Sequence, residues 1–202
     1  ALNRIVEWNE AMHLPEALYN IEQWMRQQEN AATKITEQIL QVNSFSHFLA
    51  VIFGIGILTG IGEEMIFRGV LQRIVQDKNH RAHVAVWICA FLFSAIHLQF
   101  YGFIPRLLLG AFFGYLLVWS KNLWLPIFAH LFNNSTVACI SYFTNDKSPD
   151  NLIETVGTSG SPTSWLAGAS LIGTVILLYV LYKKVFVSKS KEFFPMEDKI
   201  TP

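Results

Sequence analysis

The sequence predicts an all-α fold, a polytopic bundle of transmembrane helices with an N-terminal amphipathic helix. The first observation is the composition: 52% of the 202 residues are hydrophobic and only 15% are charged, whereas soluble domains average about 25% charged residues. The second is a mean hydropathy of +0.34. The third is that the apolar residues form blocks close to the roughly 20 residues that cross a bilayer. A lipid bilayer is therefore the expected surrounding of most of the chain.

The first 45 residues are polar, with apolar side chains spaced by three or four positions. This spacing is typical of an amphipathic helix, and the apolar positions are Leu18, Ile21, Met25, Ala32, Ile35 and Ile39. Such a helix can lie at the membrane interface, or it can pack on the bundle as a soluble helix. Both placements remain open from the sequence.

Five apolar blocks follow, and each is expected to form one membrane-spanning helix. They cover residues 46–74, 82–98, 103–120, 123–143 and 165–182. Short links between blocks predict antiparallel neighbours. The longer link 144–164 is rich in Asn, Asp, Ser, Thr, Gly and Pro, which predicts an exposed loop. The predicted organisation is an N-terminal segment 1–45, a transmembrane core 46–187 and a cytoplasmic tail 188–202.

The basic residues predict the orientation of the bundle. If the first block runs from outside to inside, most lysines and arginines fall on one side, which the positive-inside rule makes cytoplasmic. They are Arg73, Lys78, Arg81, Lys121, Lys183, Lys184, Lys189, Lys191 and Lys199. The C-terminus is then cytoplasmic. The net charge is zero and no basic tract alternates with aromatic residues, so no nucleic-acid partner is expected.

Ionisable side chains inside membrane spans cost at least about 2.5–3.5 kcal/mol each and by default mark function. In the first block, Glu64 and Arg68 are four residues apart, so they share a helix face and can form an ion pair. Glu63 points about 100° away from that face and is free to face another group. A solvated cap at the end of a span is the alternative explanation. Against it, the apolar pattern continues beyond the charges.

Two further blocks carry one histidine each. His97 lies four residues after Phe93 in the second block, and His130 lies four residues before Asn134 in the fourth. Taken singly, either histidine can be a packing residue or a polar contact between helices. Together with Glu63 they are more informative, because ionisable groups on separate spans are less costly to bury when they meet in one wet cavity. The sequence therefore predicts that these spans converge.

A carboxylate, two imidazoles and an amide around water are suited to amide-bond hydrolysis with water as the nucleophile. Glu63 can take a proton from water as a general base, and a histidine can share or orient that water. A histidine N–H and the Asn134 amide are suitable donors to a developing oxyanion. No serine or cysteine nucleophile is needed for this chemistry.

The three polar patterns resemble the motifs of one family. Residues 63–68 read EExxxR, residues 93–97 read FxxxH and residues 130–134 read HxxxN. In this order, each on an apolar block, they resemble the motifs of the CAAX prenyl endopeptidase type II and bacteriocin-processing enzymes, also called the CPBP or Abi family. The matching region is about residues 46–143. The resemblance implies an all-helical intramembrane endopeptidase of a bacterial cytoplasmic membrane, with a peptide or protein substrate, lipidated or not.

The resemblance also implies a role for each site residue. By motif position, Glu63 activates water with the help of His97, and His130 and Asn134 form the oxyanion hole. Glu64 and Arg68 support the site. Family members usually carry more than five spans, so earlier spans are expected to be missing from this chain.

The sequence leaves two alternatives open. Zinc or another divalent metal can be held by Glu63, His97 and His130 with an open position for water, although the lack of HExxH and the Asn134 amide beside His130 favour a site without a metal or other cofactor. In function, the alternative is a non-catalytic immunity or scaffold protein of the same fold. A proton or ion transporter is a third reading, which the lack of a visible repeat disfavours.

Overall fold

Each apolar block of the sequence forms a single helix in the structure. The computed structural model describes residues 2–79, 82–144 and 156–183, and over these ranges it contains helices, turns and loops but no β-strand. The seven helices are α1 (Leu2–Glu10), α2 (Tyr19–Leu40), α3 (residues 45–79), α4 (Ala82–Ala95), α5 (Phe103–Ser120), α6 (Trp124–Thr144) and α7 (Trp165–Leu181). The prediction of an all-α membrane bundle with an amphipathic N-terminal helix is confirmed.

Two helices are long and apolar enough to cross a membrane. They are the Phe45–Gln76 part of α3 and all of α5 (Phe103–Ser120), and two shorter apolar helices cover Ala82–Ala95 and Trp165–Val180. The chain is accordingly an integral membrane protein. The tail predicted for residues 188–202 lies outside the described residues, as does most of the loop predicted for residues 144–164.

Helix α3 alternates between α-helical and π-helical turns. The α-helical pieces are Phe45–Val51, Thr59–Glu64 and Gln72–Asn79, and the π-helical pieces between them are Ile52–Leu58 and Met65–Leu71. Wider π turns are rare and are found mostly at functional sites. Two predicted site residues, Glu63 and Glu64, lie at the end of the short α-helical piece Thr59–Glu64, between the two π-helical pieces. A pattern based on 3.6 residues per turn cannot predict this geometry.

Helix α3 packs closely against α6 because small residues face the contact. A methyl group added at Gly60 would lie 3.2 Å from the backbone nitrogen of Leu131, and one added at Gly56 would overlap the hydroxyl of Ser135. Small residues allow such close approach between helices in membranes. The contact places Glu64, one turn beyond Gly60, beside His130 of α6.

The N-terminal helices hold the loop between α4 and α5. Asn9 of α1, only 3% exposed, donates its amide to the Phe100 carbonyl (3.0 Å) and accepts from the Ile104 amide (3.1 Å). From α2, the Glu29 carboxylate accepts from the Tyr101 amide at 3.1 Å. Because this loop follows His97 directly, the N-terminal segment fixes the chain on one side of the predicted site.

The apolar stripe of α2 is not covered by the bundle. Ile21, Ile35 and Ile39 are exposed, with 58% exposure at Ile35, as is Leu18 just before the helix, whereas Met25 and Ala32 are half-buried. An uncovered apolar stripe favours a position at the membrane interface over packing as a soluble helix. Of the two placements that the sequence left open, the structure therefore favours the interfacial one.

We expect the N-terminal segment to loosen in acid. The Arg26 guanidinium, the Leu14 amide and the His13 ring hydrogen-bond to Glu22 and lower its pKa from an ordinary value of 4.5 to about 2. A carboxyl with a lowered pKa stabilises the fold above its ordinary pKa, and this contribution is lost as the pH falls toward 2. The protection of the Leu14 amide against hydrogen exchange should fall between about pH 4.5 and pH 2. The Glu22→Gln variant should show no such pH dependence, and a wild-type protection factor that stays constant in this range would contradict the assignment.

Candidate active site

The two adjacent glutamates of α3 lie in different environments. The Glu64 side chain is completely buried, whereas 26% of the Glu63 side chain is exposed. Consecutive residues on a helix point about 100° apart. One carboxylate therefore lies inside the bundle and the other faces a space that solvent can reach, as the spacing of EExxxR predicts.

Glu64 is held by a buried ion pair. Nη1 of Arg68 donates to Oε1 of Glu64 at 2.9 Å, and Nη2 of the same guanidinium donates to the carbonyl of Gly110 on α5 at 2.8 Å. Neither side chain is exposed to solvent. The guanidinium also lies 4.7 Å from the ring centroid of Phe93, a favourable cation–π distance. The predicted ion pair of Glu64 and Arg68 thus links α3 to α5.

His130 of α6 contacts both glutamates. Its Nδ1 lies 2.9 Å from Oε1 of Glu64, and its Nε2 lies 3.7 Å from Oε2 of Glu63. Because the Glu64 carboxylate also accepts from Arg68, it is an acceptor toward His130, and Nδ1 must carry the hydrogen. In the neutral imidazole, Nε2 then presents a lone pair toward Glu63.

His97 faces the carboxylate of Glu63. It lies just beyond the end of α4, and the next residue, Leu98, turns the chain with a left-handed φ of 53°. The His97 Nδ1 lies 2.7 Å from the carbonyl of Phe93, so it is the donor. Its Nε2 lies 4.0 Å from Oε1 of Glu63. The predicted meeting of one carboxylate with two imidazoles is found in the structure.

Aromatic rings fix both imidazoles. The Phe113 ring stacks on His130 with centroids 4.9 Å apart. The Phe93 ring makes edge contacts with His97 at 5.1 Å and with His130 at 5.8 Å. The positions of the rings leave His97 27% exposed and His130 only 4% exposed. The accessible side of the cluster is therefore that of Glu63 and His97.

Asn134 makes its contacts away from this cluster. Its side-chain nitrogen donates to the carbonyl of Ile55 on α3 at 3.2 Å, and its oxygen accepts from Asn133 at 3.3 Å. The bond to Ile55 joins α6 to the π-helical piece Ile52–Leu58, which precedes the glutamates. The role of Asn134 as an oxyanion donor remains a prediction.

Reasoning from the sequence missed several residues around the site. They are Phe113, which stacks on His130; Gly110, which accepts from Arg68; and Gln72, whose amide donates to Gly114. The signal for the glycines was present, because Gly56 and Gly60, and likewise Gly110 and Gly114, stand four residues apart on apolar helices. Such spacing is typical of close helix packing in membranes. Arg106 was also missed; it lies near enough to Glu63 and His97 to interact with both electrostatically.

The three predicted metal ligands lie near one another. The Glu63 carboxylate is 3.7 Å from Nε2 of His130 and 4.0 Å from Nε2 of His97, whereas two ligands of a tetrahedral zinc lie about 3.4 Å apart. Among the residues that the structure describes, no three His, Cys, Asp or Glu side chains are grouped to hold a metal ion. The preference for a site without a metal stays a prediction.

Fold and site together define a class: an integral membrane helix bundle that encloses a carboxylate–imidazole cluster. Residues 45–136, a little under half of the chain, match the family model described as "Type II CAAX prenyl endopeptidase Rce1-like". The matched segment contains all three motifs, so the resemblance drawn from the motifs is confirmed by the family model. The family is generally a protease family, and the match therefore supports hydrolase activity.

A curated relative covers a similar part of the chain. It is YpbD of Bacillus subtilis (strain 168), described as an uncharacterized protein, and it is 29% identical over 109 residues. The match includes 52% of this chain and 51% of YpbD, so the chain spans about half the length of the relative it matches. No solved structure matches the chain.

We predict that Arg68→Met strongly destabilises the protein. The change leaves the buried Glu64 carboxylate without its cation, which typically costs about 3–5 kcal/mol. Oε2 of Glu64 and Nε of Arg68 already have no hydrogen-bond partner among the described residues, so other groups are poorly placed to compensate. The free energy of unfolding, measured in mixed micelles, should fall accordingly.

The double variant Glu64→Gln/Arg68→Met is the control, because it removes both charges. It should be more stable than Arg68→Met alone. A double variant that is no more stable would mean that the two charges do not depend on each other.

Proposed function

We propose that the protein is an intramembrane endopeptidase that hydrolyses peptide bonds with water activated by Glu63. The observation that carries the proposal is the position of the Glu63 carboxylate, which faces Nε2 of His97 at 4.0 Å and Nε2 of His130 at 3.7 Å. Its side chain is accessible, while the partner glutamate is buried in an ion pair. The protease family of residues 45–136 supports the same reaction class.

The gap between Glu63 and His97 suits a water molecule. A water that donates hydrogen bonds of about 2.8 Å to both atoms, which are 4.0 Å apart, subtends an angle of about 90°. This angle is close to that between the two O–H bonds of water. Both hydrogens are then engaged, and a lone pair of the oxygen is left to attack a substrate carbonyl.

The hydrolysis then needs only this carboxylate as the proton carrier. Glu63 takes one proton as the water oxygen bonds to the carbonyl carbon, and the carbonyl oxygen becomes the oxyanion. When the C–N bond breaks, the protonated Glu63 gives its proton to the leaving nitrogen. The products are one carboxylic acid and one amine, and Glu63 returns to its ionised form.

His130 and Asn134 are the proposed oxyanion donors. Glu64 accepts from Nδ1–H of His130 at 2.9 Å, which leaves Nε2 as the ring nitrogen that faces the oxyanion. One amide hydrogen of Asn134 is used by Ile55, which leaves the other for the substrate. In this account Glu64 and Arg68 orient His130 and do not touch the substrate.

The proposed substrate is a membrane-associated peptide or protein, with or without an attached lipid. The family model is described as a CAAX prenyl endopeptidase, and a membrane site is suited to a lipidated or hydrophobic chain. We also propose a bacterial cytoplasmic membrane with the C-terminus in the cytoplasm. The division proposed is the N-terminal segment 1–45, the transmembrane core 46–187 and the tail 188–202.

We predict that Glu63→Gln abolishes cleavage while leaving the fold intact. The amide keeps the shape of the side chain but cannot take a proton from water, so the rate should fall by at least about 10³, since general-base catalysis contributes 10²–10⁴-fold. Wild type and variants are reconstituted in proteoliposomes with a pool of membrane-derived peptides, and mass spectrometry compares the products. His130→Ala should also be inactive.

Glu37→Gln, at an exposed position of α2, is the matched control and should cleave as wild type does. Equal cleavage by wild type and Glu63→Gln would reject the proposed chemistry. A cellular phenotype that is retained by both Glu63→Gln and His130→Ala would instead favour the immunity or scaffold function.

A separate prediction concerns whether cleavage depends on a metal ion. Exhaustive chelation of the purified protein should leave the cleavage rate unchanged, because in the proposed reaction the Glu63 carboxylate alone activates the water. The rate is measured before and after dialysis against a strong chelator. A loss of activity that added zinc restores would establish the metal alternative with Glu63, His97 and His130 as ligands.

A further inference from the structure

Two polar side chains of α3 cross to two glycines of α5 in parallel steps. Arg68 donates to the Gly110 carbonyl at 2.8 Å, and Gln72, one turn further, donates to the Gly114 carbonyl at 3.2 Å. Arg68, Gln72, Gly110 and Gly114 are all buried. These two bonds set the position of α3 along α5. Only the bond of Arg68 to Gly110 involves a residue that contacts the candidate active site, because Arg68 also pairs with Glu64.

Gly110 lies where a side chain would displace the residues that orient the histidines. A methyl group there would lie 3.1 Å from the Phe93 ring, 3.3 Å from Nη2 of Arg68 and 3.3 Å from the Cα of Ala90. Contacts below 3.4 Å force the neighbours to move. The Ala90 contact is with a backbone atom, so part of the movement must be taken up by α4, by the Phe93 ring or by the guanidinium.

Two of these neighbours, the Phe93 ring and the Arg68 guanidinium, contact proposed active-site groups. The Phe93 ring contacts both imidazoles, and the Phe93 carbonyl accepts from Nδ1 of His97. The Arg68 guanidinium holds the Glu64 carboxylate, which in turn accepts from His130. Two contacts, through Phe93, therefore connect Gly110 with both histidines, and three contacts, through Arg68 and Glu64, connect it with His130.

The geometry points to Gly110 as a positioning residue of the site. Its carbonyl fixes Arg68, and its missing side chain provides the space in which the Phe93 ring and the guanidinium lie. The reaction thereby requires glycine at this position although Gly110 does not touch the substrate. This inference rests on the proposed function for its kinetic test, but it also has a structural readout of its own.

Gly114 provides the matched comparison. A methyl group there would lie 3.0 Å from Oε1 of Gln72 and 3.0 Å from the Val86 side chain, which is at least as crowded as at Gly110. It is on the same helix and in the same interface, but Gln72 and Val86 make no hydrogen bond, ion pair or ring contact with the histidines or with Glu63 in the described part of the chain. Gly173 on α7 has open space around it and serves as a neutral substitution.

The test compares Gly110→Ala, Gly114→Ala and Gly173→Ala in micelles, using the peptide that wild type cleaves fastest. We expect Gly110→Ala and Gly114→Ala to lower the melting temperature by similar amounts and Gly173→Ala to leave it unchanged. Only Gly110→Ala should lower kcat, by tenfold or more per folded molecule, with KM within twofold. Similar kcat losses in the first two variants, or an unchanged kcat in Gly110→Ala, would overturn the inference.

If Gly110→Ala does not fold, the double variant Phe93→Leu/Gly110→Ala makes room for the methyl group and is compared with Phe93→Leu alone. The added methyl group still lies against Arg68, so a further tenfold loss of kcat is expected; no further loss overturns the inference. A wild-type protein that cleaves nothing would refute the proposed function and not the positioning role. In that case ¹⁵N-histidine NMR decides, because Gly110→Ala should shift the imidazole signals of His97 and His130 and Gly114→Ala should not.

Discussion

The site depends on one buried interaction, the ion pair of Glu64 and Arg68. A charge in the apolar interior is tolerated only with a partner and further hydrogen bonds, and here the partners come from three helices. Arg68 and Glu64 belong to α3, the Gly110 carbonyl to α5 and the His130 ring to α6. The requirement to satisfy these charges determines how the three helices meet. Displacement of α5 or α6 would leave the buried pair without one of these additional hydrogen bonds.

The same interaction gives two neighbouring glutamates opposite properties. Glu64 is enclosed and neutralised, so it can hold the Nδ1–H of His130 without reacting. Glu63, one residue earlier, is not engaged by Arg68 and faces the accessible side with His97. The rotation of about 100° between consecutive helical residues is enough to separate a structural carboxylate from a reactive one. A single pair of residues thus supplies both the support and the proposed base.

Local spacing predicted a large part of this arrangement. Apolar blocks of spanning length predicted the helices, and i, i+4 spacing predicted the pairing of Glu64 with Arg68 and the free orientation of Glu63. The cost of burying ionisable groups predicted that Glu63 meets His97 and His130. These predictions succeed because they use only intrahelical geometry and the energetics of desolvation.

Contacts between helices were less predictable. The bond of His130 to Glu64 and the turn of Asn134 toward Ile55 depend on how α6 is placed against α3, which spacing within one helix does not determine. The π-helical turns on both sides of the glutamates change the direction of side chains by amounts that a period of 3.6 cannot anticipate. The break between α1 and α2 within residues 1–45 was missed for a local reason: Pro15 lacks the amide hydrogen that a continuous helix requires.

The central claim is that Glu63 faces water while Glu64 does not, and thiol labelling tests it most directly. Cys89 and Cys139 are replaced by alanine, and a single cysteine is introduced either as Glu63→Cys or as Glu64→Cys. The Glu64→Cys change is combined with Arg68→Met, so that no buried charge is left without its partner. A membrane-impermeant maleimide is then added to the folded protein in micelles. The account predicts that the thiol at position 63 reacts at least tenfold faster than the thiol at position 64. Equal rates at the two positions, or faster labelling at position 64, would contradict it.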